Sequence, residues 1–192
     1  MIIGSNPRVI LTLLILFIGF NLLCFGTGWG EHFQYQRHAI QQGQVWRVLT
    51  GHLVHLGAMH FLLNLFGLLI LWQLTAHWIR GGEKLLVLLG SMLLISLGLY
   101  LLFPQFSWYR GLSGALHGLW CAGALMGLKR EKGLASILLL LLVIKLAWEI
   151  LAGPTPFTAS LSGGPVLIQA HWLGAGAGLL MAAMLHLLRT KG

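Results

Sequence analysis

Long stretches of this chain carry almost no charge, and that limits what it can fold into more than any other feature. Residues 9–25, 85–103 and 134–148 are nearly all apolar. With their flanks they reach the roughly 20 residues that a helix needs to cross a hydrocarbon layer ~30 Å thick. Apolar side chains make up 57% of the 192 residues and charged ones 8%, where a soluble domain carries roughly 25% charged. A water-soluble globular protein, a disordered chain and a nucleic-acid binder are therefore excluded. Six spans would take ~120 residues at that length and leave only short loops. The chain reads as an all-α polytopic membrane protein, one transmembrane domain over residues 1–192, with the lipid bilayer as its surroundings.

The spans fall at about 8–26, 46–78, 85–103, 112–128, 134–152 and 168–188. The first is read as a retained helix, because only Arg8 precedes it and no small-residue cleavage site follows. Residues 27–44 form a polar, aromatic segment suited to the membrane–water interface. Residues 153–165, rich in Gly, Pro, Ser and Thr, read as uncharged loop. Arg8, Arg80, Lys84, Lys129, Arg130, Lys132, Arg189 and Lys191 would share one side of the bilayer, against Arg37, Arg47 and Arg110 on the other. Cationic loops stay cytoplasmic, so both termini are expected inside. The +8 net charge is that asymmetry. Cys24 and Cys121 sit within apolar runs, which argues against a disulfide framework.

Polar groups inside hydrocarbon are costly and mark function. At 1.5 Å rise per residue, Ser113 lies about 24 Å above the cytoplasmic boundary, Asn64 about 24 Å and His171 about 27 Å. A hydroxyl, an amide and an imidazole on three spans thus share one layer, just below the outer surface. Serine attacks an amide when a base removes its proton, and His is the usual base. No Asp occurs anywhere, and only four Glu do, so a Ser–His–Asp triad cannot be built. A Ser113–His171 dyad remains, its imidazole held by tight helix packing. Gly174 and Gly178 follow His171 on one helix face as a small-xxx-small pair, and Gly111, Gly114 and Gly118 offer the matching surface. Ser91, Ser96 and Ser136 are expected to bond their own i−4 carbonyls.

These residues resemble the rhomboid intramembrane serine proteases. Gly111-Leu112-Ser113-Gly114 is similar to their GxSG motif, and His60 through Asn64 to their HxxxN. His171 with Gly174 and Gly178 is similar to the sixth-helix histidine and its packing glycines, and Trp46-Arg47 to a pair in the first outer loop. The likeness covers nearly the whole chain, in order. The segment from Tyr109 through His117, Trp148-Glu149 with Gly153-Pro154, and Gln169-Ala170-His171 resemble the rhombosortase branch.

The resemblance implies a six-helix rhomboid fold and a serine endopeptidase of a bacterial inner membrane, its site opening to the periplasmic side. Ser113 would be nucleophile and His171 general base, then acid. His60, Asn64 and the Ser113 backbone N–H would form the oxyanion site, with Gly111, Gly114, His117 and Glu149 as neighbours. The substrates implied are membrane-anchored secreted proteins with a GlyGly-CTERM tail, often partners of type II secretion. No cofactor is implied. His117 stands where many rhomboids have an aromatic residue; it can stack on the catalytic imidazole, compete as a base, or shape a small pocket. Lys145 and Glu149, four apart on one face, form either a mutually satisfied ion pair or a group facing the active cavity. Glu149 sits about 25 Å up, level with Ser113. His52, His55 and His60 lack the HExxH pattern and a nearby acid, so no metal is expected. The rival readings are a catalytically silent rhomboid-like protein that binds transmembrane helices, and a small transporter or channel.

Overall fold

The computed structural model describes residues 7–190. Residues 1–6 and Lys191, counted above among the cytoplasmic charges, lie outside the described residues. The elements are α1 (Pro7–Thr27), α2 (Gly30–Phe33), β1 (Tyr35–Gln36), α3 (Arg37–Gln41), α4 (Arg47–Thr50), α5 (Ala58–Leu74), α6 (Gly81–Leu102), β2 (Trp108–Tyr109), α7 (Ser113–Gly127), α8 (Lys132–Ala152), α9 (Pro156–Leu161) and α10 (Ile168–Thr190). Among the described residues, α1, α6, α8 and α10 are long and apolar enough to cross a membrane, and α5 is a shorter apolar helix. The molecule is thus mostly helical. At 1.5 Å per residue, α5 and α7 are about 26 and 23 Å long.

The expected single span over 46–78 is corrected. α4 ends at Thr50, residues 51–57 are not helical, and α5 starts only at Ala58. His52 and His55, both fully buried, lie in that break. Hydropathy cannot separate a helix in lipid from an irregular segment buried in protein. The loop expected over 153–165 contains α9, which opens with Pro156 at its first position, where a missing N–H costs nothing.

α7 is the axis. Its sequence is mostly small residues, so neighbours can close on it from every side: Gly114, Ala115, Gly118, Ala122, Gly123, Ala124 and Gly127 are all buried. α10 approaches it most closely. A Cβ at Gly174 would collide with the Gly114 carbonyl, and one at Gly178 with the Gly118 carbonyl. Two Gly-xxx-Gly faces therefore meet back to back, the arrangement that dispersion favours where lipid removes the hydrophobic drive. On the α6 side, a Cβ at Gly118 would strike the Ser91 hydroxyl. Ser91 Oγ makes no hydrogen bond, and Ser96 Oγ donates to the Val48 carbonyl at 2.6 Å. Neither follows the expected i−4 pattern, because each hydroxyl faces a neighbouring element.

Both ends of the bundle are tied. At one end, β1 pairs antiparallel with β2, Tyr35 opposite Tyr109. There Arg47 is buried and donates to the Glu31 and Gln34 carbonyls (2.8 and 2.9 Å) and to Gln44 Oε1 (2.7 Å). Desolvation pulls its guanidinium below the usual arginine range, and those acceptors hold the charge in place. At the other end, Arg189 forks onto Glu83, Nε to Oε1 at 3.0 Å and Nη2 to Oε2 at 2.5 Å. The same carboxylate accepts the Arg80 backbone N–H at 2.8 Å, capping α6. Lys84 donates to the Trp72 carbonyl. The ends of α5, α6 and α10 are thereby joined around buried charge.

Candidate active site

Ser113 is the first residue of α7. The turn before it needs glycine: Gly111 has φ +123°, and a Cβ there would lie 2.8 Å from the His60 ring. Its carbonyl accepts the Tyr109 hydroxyl at 2.5 Å, and its N–H donates to the Gly51 carbonyl at 3.0 Å. Thus fixed, Ser113 Oγ lies 3.0 Å from His171 Nε2. His171 Nδ1 lies 2.9 and 3.0 Å from the two oxygens of Glu149. A carboxylate can only accept, so the ring proton sits on Nδ1 and the Nε2 lone pair faces the serine hydroxyl. Glu149 is 1% exposed and accepts from Lys145 Nζ at 2.5 Å. A continuous chain of hydrogen bonds runs from Ser113 on α7 through His171 on α10 to Glu149 and Lys145 on α8.

Helix packing alone was expected to hold the imidazole, since a missing Asp seemed to leave no carboxylate for it. The structure supplies a glutamate. The two alternatives for Lys145 and Glu149 also turn out to be compatible: they are an ion pair, and that pair faces the site.

His117 stacks on His171, ring centroids 4.2 Å apart and planes 14° apart. Its Nδ1 donates to the Ser113 carbonyl at 2.8 Å, so this nitrogen is not available to the hydroxyl; its Nε2 is buried without a partner. Ligand-capable atoms of His117, Glu149 and His171 lie within 4.8 Å of one another. Because both His171 nitrogens are already engaged, the cluster reads as a hydrogen-bonded chain. His52 and His55 turn elsewhere, to Ser96 Oγ at 3.0 Å and Asn21 Oδ1 at 2.8 Å.

His60 and Asn64 project from the first turns of α5 and line, with Ser113, a cavity of about 390 Å³. The Leu56 backbone N–H donates to His60 Nδ1 at 3.5 Å, which puts the proton of a neutral ring on Nε2, the atom beside Gly111. Asn64 Nδ2 spends one N–H on the His60 carbonyl at 3.0 Å and keeps a second. Both side chains thus retain a donor.

Asn21, missed in the sequence, organises this corner. It is fully buried on α1, and its amide donates to the Phe17 and Leu53 carbonyls, both at 2.9 Å. Its oxygen therefore faces His55, which packs edge-on against His60 with centroids 5.0 Å apart. The available signal was a lone amide inside an apolar run.

Two cavities meet at Ser113. One, of about 470 Å³, is lined by residues including Trp108 of β2, the loop residues Arg110 and Pro154, and Gln169 at the start of α10. The other is mainly apolar and lies between α5 and α8, with Leu63, Gly67, Leu138 and Lys145 in its walls. A mouth that carries Arg110 and Gln169 and a more apolar cleft thus reach one hydroxyl.

The chain is 25% identical over 143 residues to the "Putative rhomboid protease YdcA" of Bacillus subtilis (strain 168), covering 74% of this chain and 68% of that protein. The rhomboid domain model matches residues 42–188, which takes in Ser113, His171, His60, Asn64 and Glu149. This multi-pass membrane protein belongs to the rhomboid family.

Proposed function

We propose that this protein is an intramembrane serine protease of the rhombosortase type, cleaving membrane-anchored secreted proteins at a C-terminal Gly-Gly and transmembrane tail. The observation that carries the reading is the 3.0 Å contact between Ser113 Oγ and an unprotonated His171 Nε2, beside His60 and Asn64, each of which keeps a donor. As Oγ bonds to the scissile carbonyl carbon, its proton passes to Nε2 and the carbonyl oxygen takes the negative charge. His60 Nε2–H, the spare N–H of Asn64 and the Ser113 backbone N–H stabilise that oxygen, one such donor being worth ~3–4 kcal/mol. The imidazolium then protonates the leaving amine as the C–N bond breaks. Water arriving through the mouth that carries Arg110 and Gln169 hydrolyses the acyl-enzyme, with His171 again as base.

Substrate would come from the side. The apolar cleft between α5 and α8 suits a transmembrane segment, and Gly-Gly unwinds with little conformational cost. The motifs around Tyr109, Trp148-Glu149 and Gln169-Ala170-His171 support the rhombosortase branch. We place the six spans with both termini in the cytoplasm and the Ser113 end of the bundle on the periplasmic side of a bacterial inner membrane, following the Lys and Arg asymmetry.

Co-expression with a Gly-Gly-tailed substrate tests this directly. Wild type should shorten the substrate, read by intact mass, whereas Ser113→Ala and His171→Ala should leave it whole. A fluorophosphonate reagent should label wild type at Ser113. Folded wild type that neither labels nor cleaves would point to a silent binder of transmembrane helices.

A further inference from the structure

We infer that the site works as a serine–histidine–glutamate relay with a lysine counter-ion: Glu149 is a positioning residue that fixes the His171 tautomer, and Lys145 tempers the pull of that carboxylate on the ring. The inference rests on the protease reading above and extends it. Three observations carry it. Both Glu149 oxygens lie within 3.0 Å of Nδ1, so the ring cannot turn over without losing both contacts. Glu149 is buried and comes from a different helix than His171, so its aim is set by the packing of α8 and not by local geometry. Lys145, on the next turn of α8, is only partly exposed and spends its ammonium on the same carboxylate at 2.5 Å.

The charges have separable effects. A carboxylate opposite Nδ1 stabilises the imidazolium that forms when the serine gives up its proton. An ammonium behind that carboxylate does the reverse, moderating how firmly His171 holds a proton at rest. The pair therefore tunes the base in opposite senses. The other ionisable groups facing His171 are the imidazoles of His117, from α7, and His60, from α5. Both are unchanged in the variants below and drop out of the comparison.

The test is the rate of Ser113 labelling by a fluorophosphonate reagent, measured against pH in the purified full-length protein. Glu149→Gln should slow labelling by about 10²–10⁴-fold and move the acidic limb of the profile to lower pH, because the imidazolium loses its anion. Lys145→Met should move that limb to higher pH, because the imidazolium loses a competing cation. Opposite displacements support the relay. A residue with only a packing role would lower the yield of folded protein without shifting either limb, and unshifted limbs overturn the inference. Should either variant fail to fold, the other still decides by the direction of its shift. The wild-type protein with nitrogen-labelled histidine decides without any variant: a low-field Nδ1–H proton resonance on His171 is expected, and a proton on Nε2 in the resting enzyme overturns the relay. Failure of wild type itself to label would instead remove the protease reading, so the two failures are distinguishable.

Discussion

At Ser113 a turn, a cavity wall and a hydrogen-bond chain converge. Depth arithmetic brought Ser113, Asn64 and His171 to one level because helical rise is uniform. It also put Glu149 there. That fourth coincidence was left open because an acid four residues from a lysine is already satisfied by its neighbour, and rotation about the helix axis, which decides where a pair faces, is invisible in a sequence. Asn21 was harder still, since one amide in an apolar run has no partner until the fold supplies carbonyls and His55. The stacked His117 gives a prediction at this scale. His117→Phe keeps a flat ring against His171 and should retain labelling within about threefold of wild type, whereas His117→Ala should lose roughly tenfold, about 1.4 kcal/mol. Equal loss in both would mean that the Nδ1 bond to the Ser113 carbonyl, and not the stack, is what matters.

Among the elements, the helices follow the long apolar runs, and depart from them where surrounding protein can satisfy a non-helical backbone. The merged span at 46–78 failed because buried histidines and a non-helical backbone can look apolar on average while being satisfied by protein. The contact of α7 and α10 was legible in outline, as two sets of spaced glycines, although the facing partners were not. Gly174 and Gly176 make a controlled pair. A methyl at Gly174 meets the Gly114 carbonyl, whereas one at Gly176 meets nothing within 4 Å. Gly174→Ala should destabilise the protein by about 1–3 kcal/mol through overpacking and misplace His171 one turn away. Gly176→Ala should be neutral or stabilising by up to about 1 kcal/mol. Thermal unfolding in detergent, followed with labelling rate, separates the two.

For the molecule as a whole, the helix ends opposite Ser113 are held by a compact ionic knot. Glu83 is 2% exposed and keeps only one backbone N–H if Arg189 is removed. Arg189→Ala should therefore cost about 1–3 kcal/mol, the penalty of a poorly satisfied buried acceptor, and lower the unfolding temperature. Its labelling rate below that temperature should stay near wild type, since the knot is a bundle length away from the hydroxyl. A large loss of rate without loss of stability would reveal coupling between the two ends.

The two walls of the lipid-facing cleft have unequal but complementary cargo. On the proposed reading α5 bears the amide and imidazole that would steady the oxyanion, and α8 bears the acid that would steady the base. Prising the walls apart to admit a guest helix, by whichever side yields, withdraws part of the apparatus from the bond to be broken. If the proposed function holds, admission and scission must then be successive: the protease would be unarmed while its door stands ajar, and passing membrane segments that do not linger would leave intact.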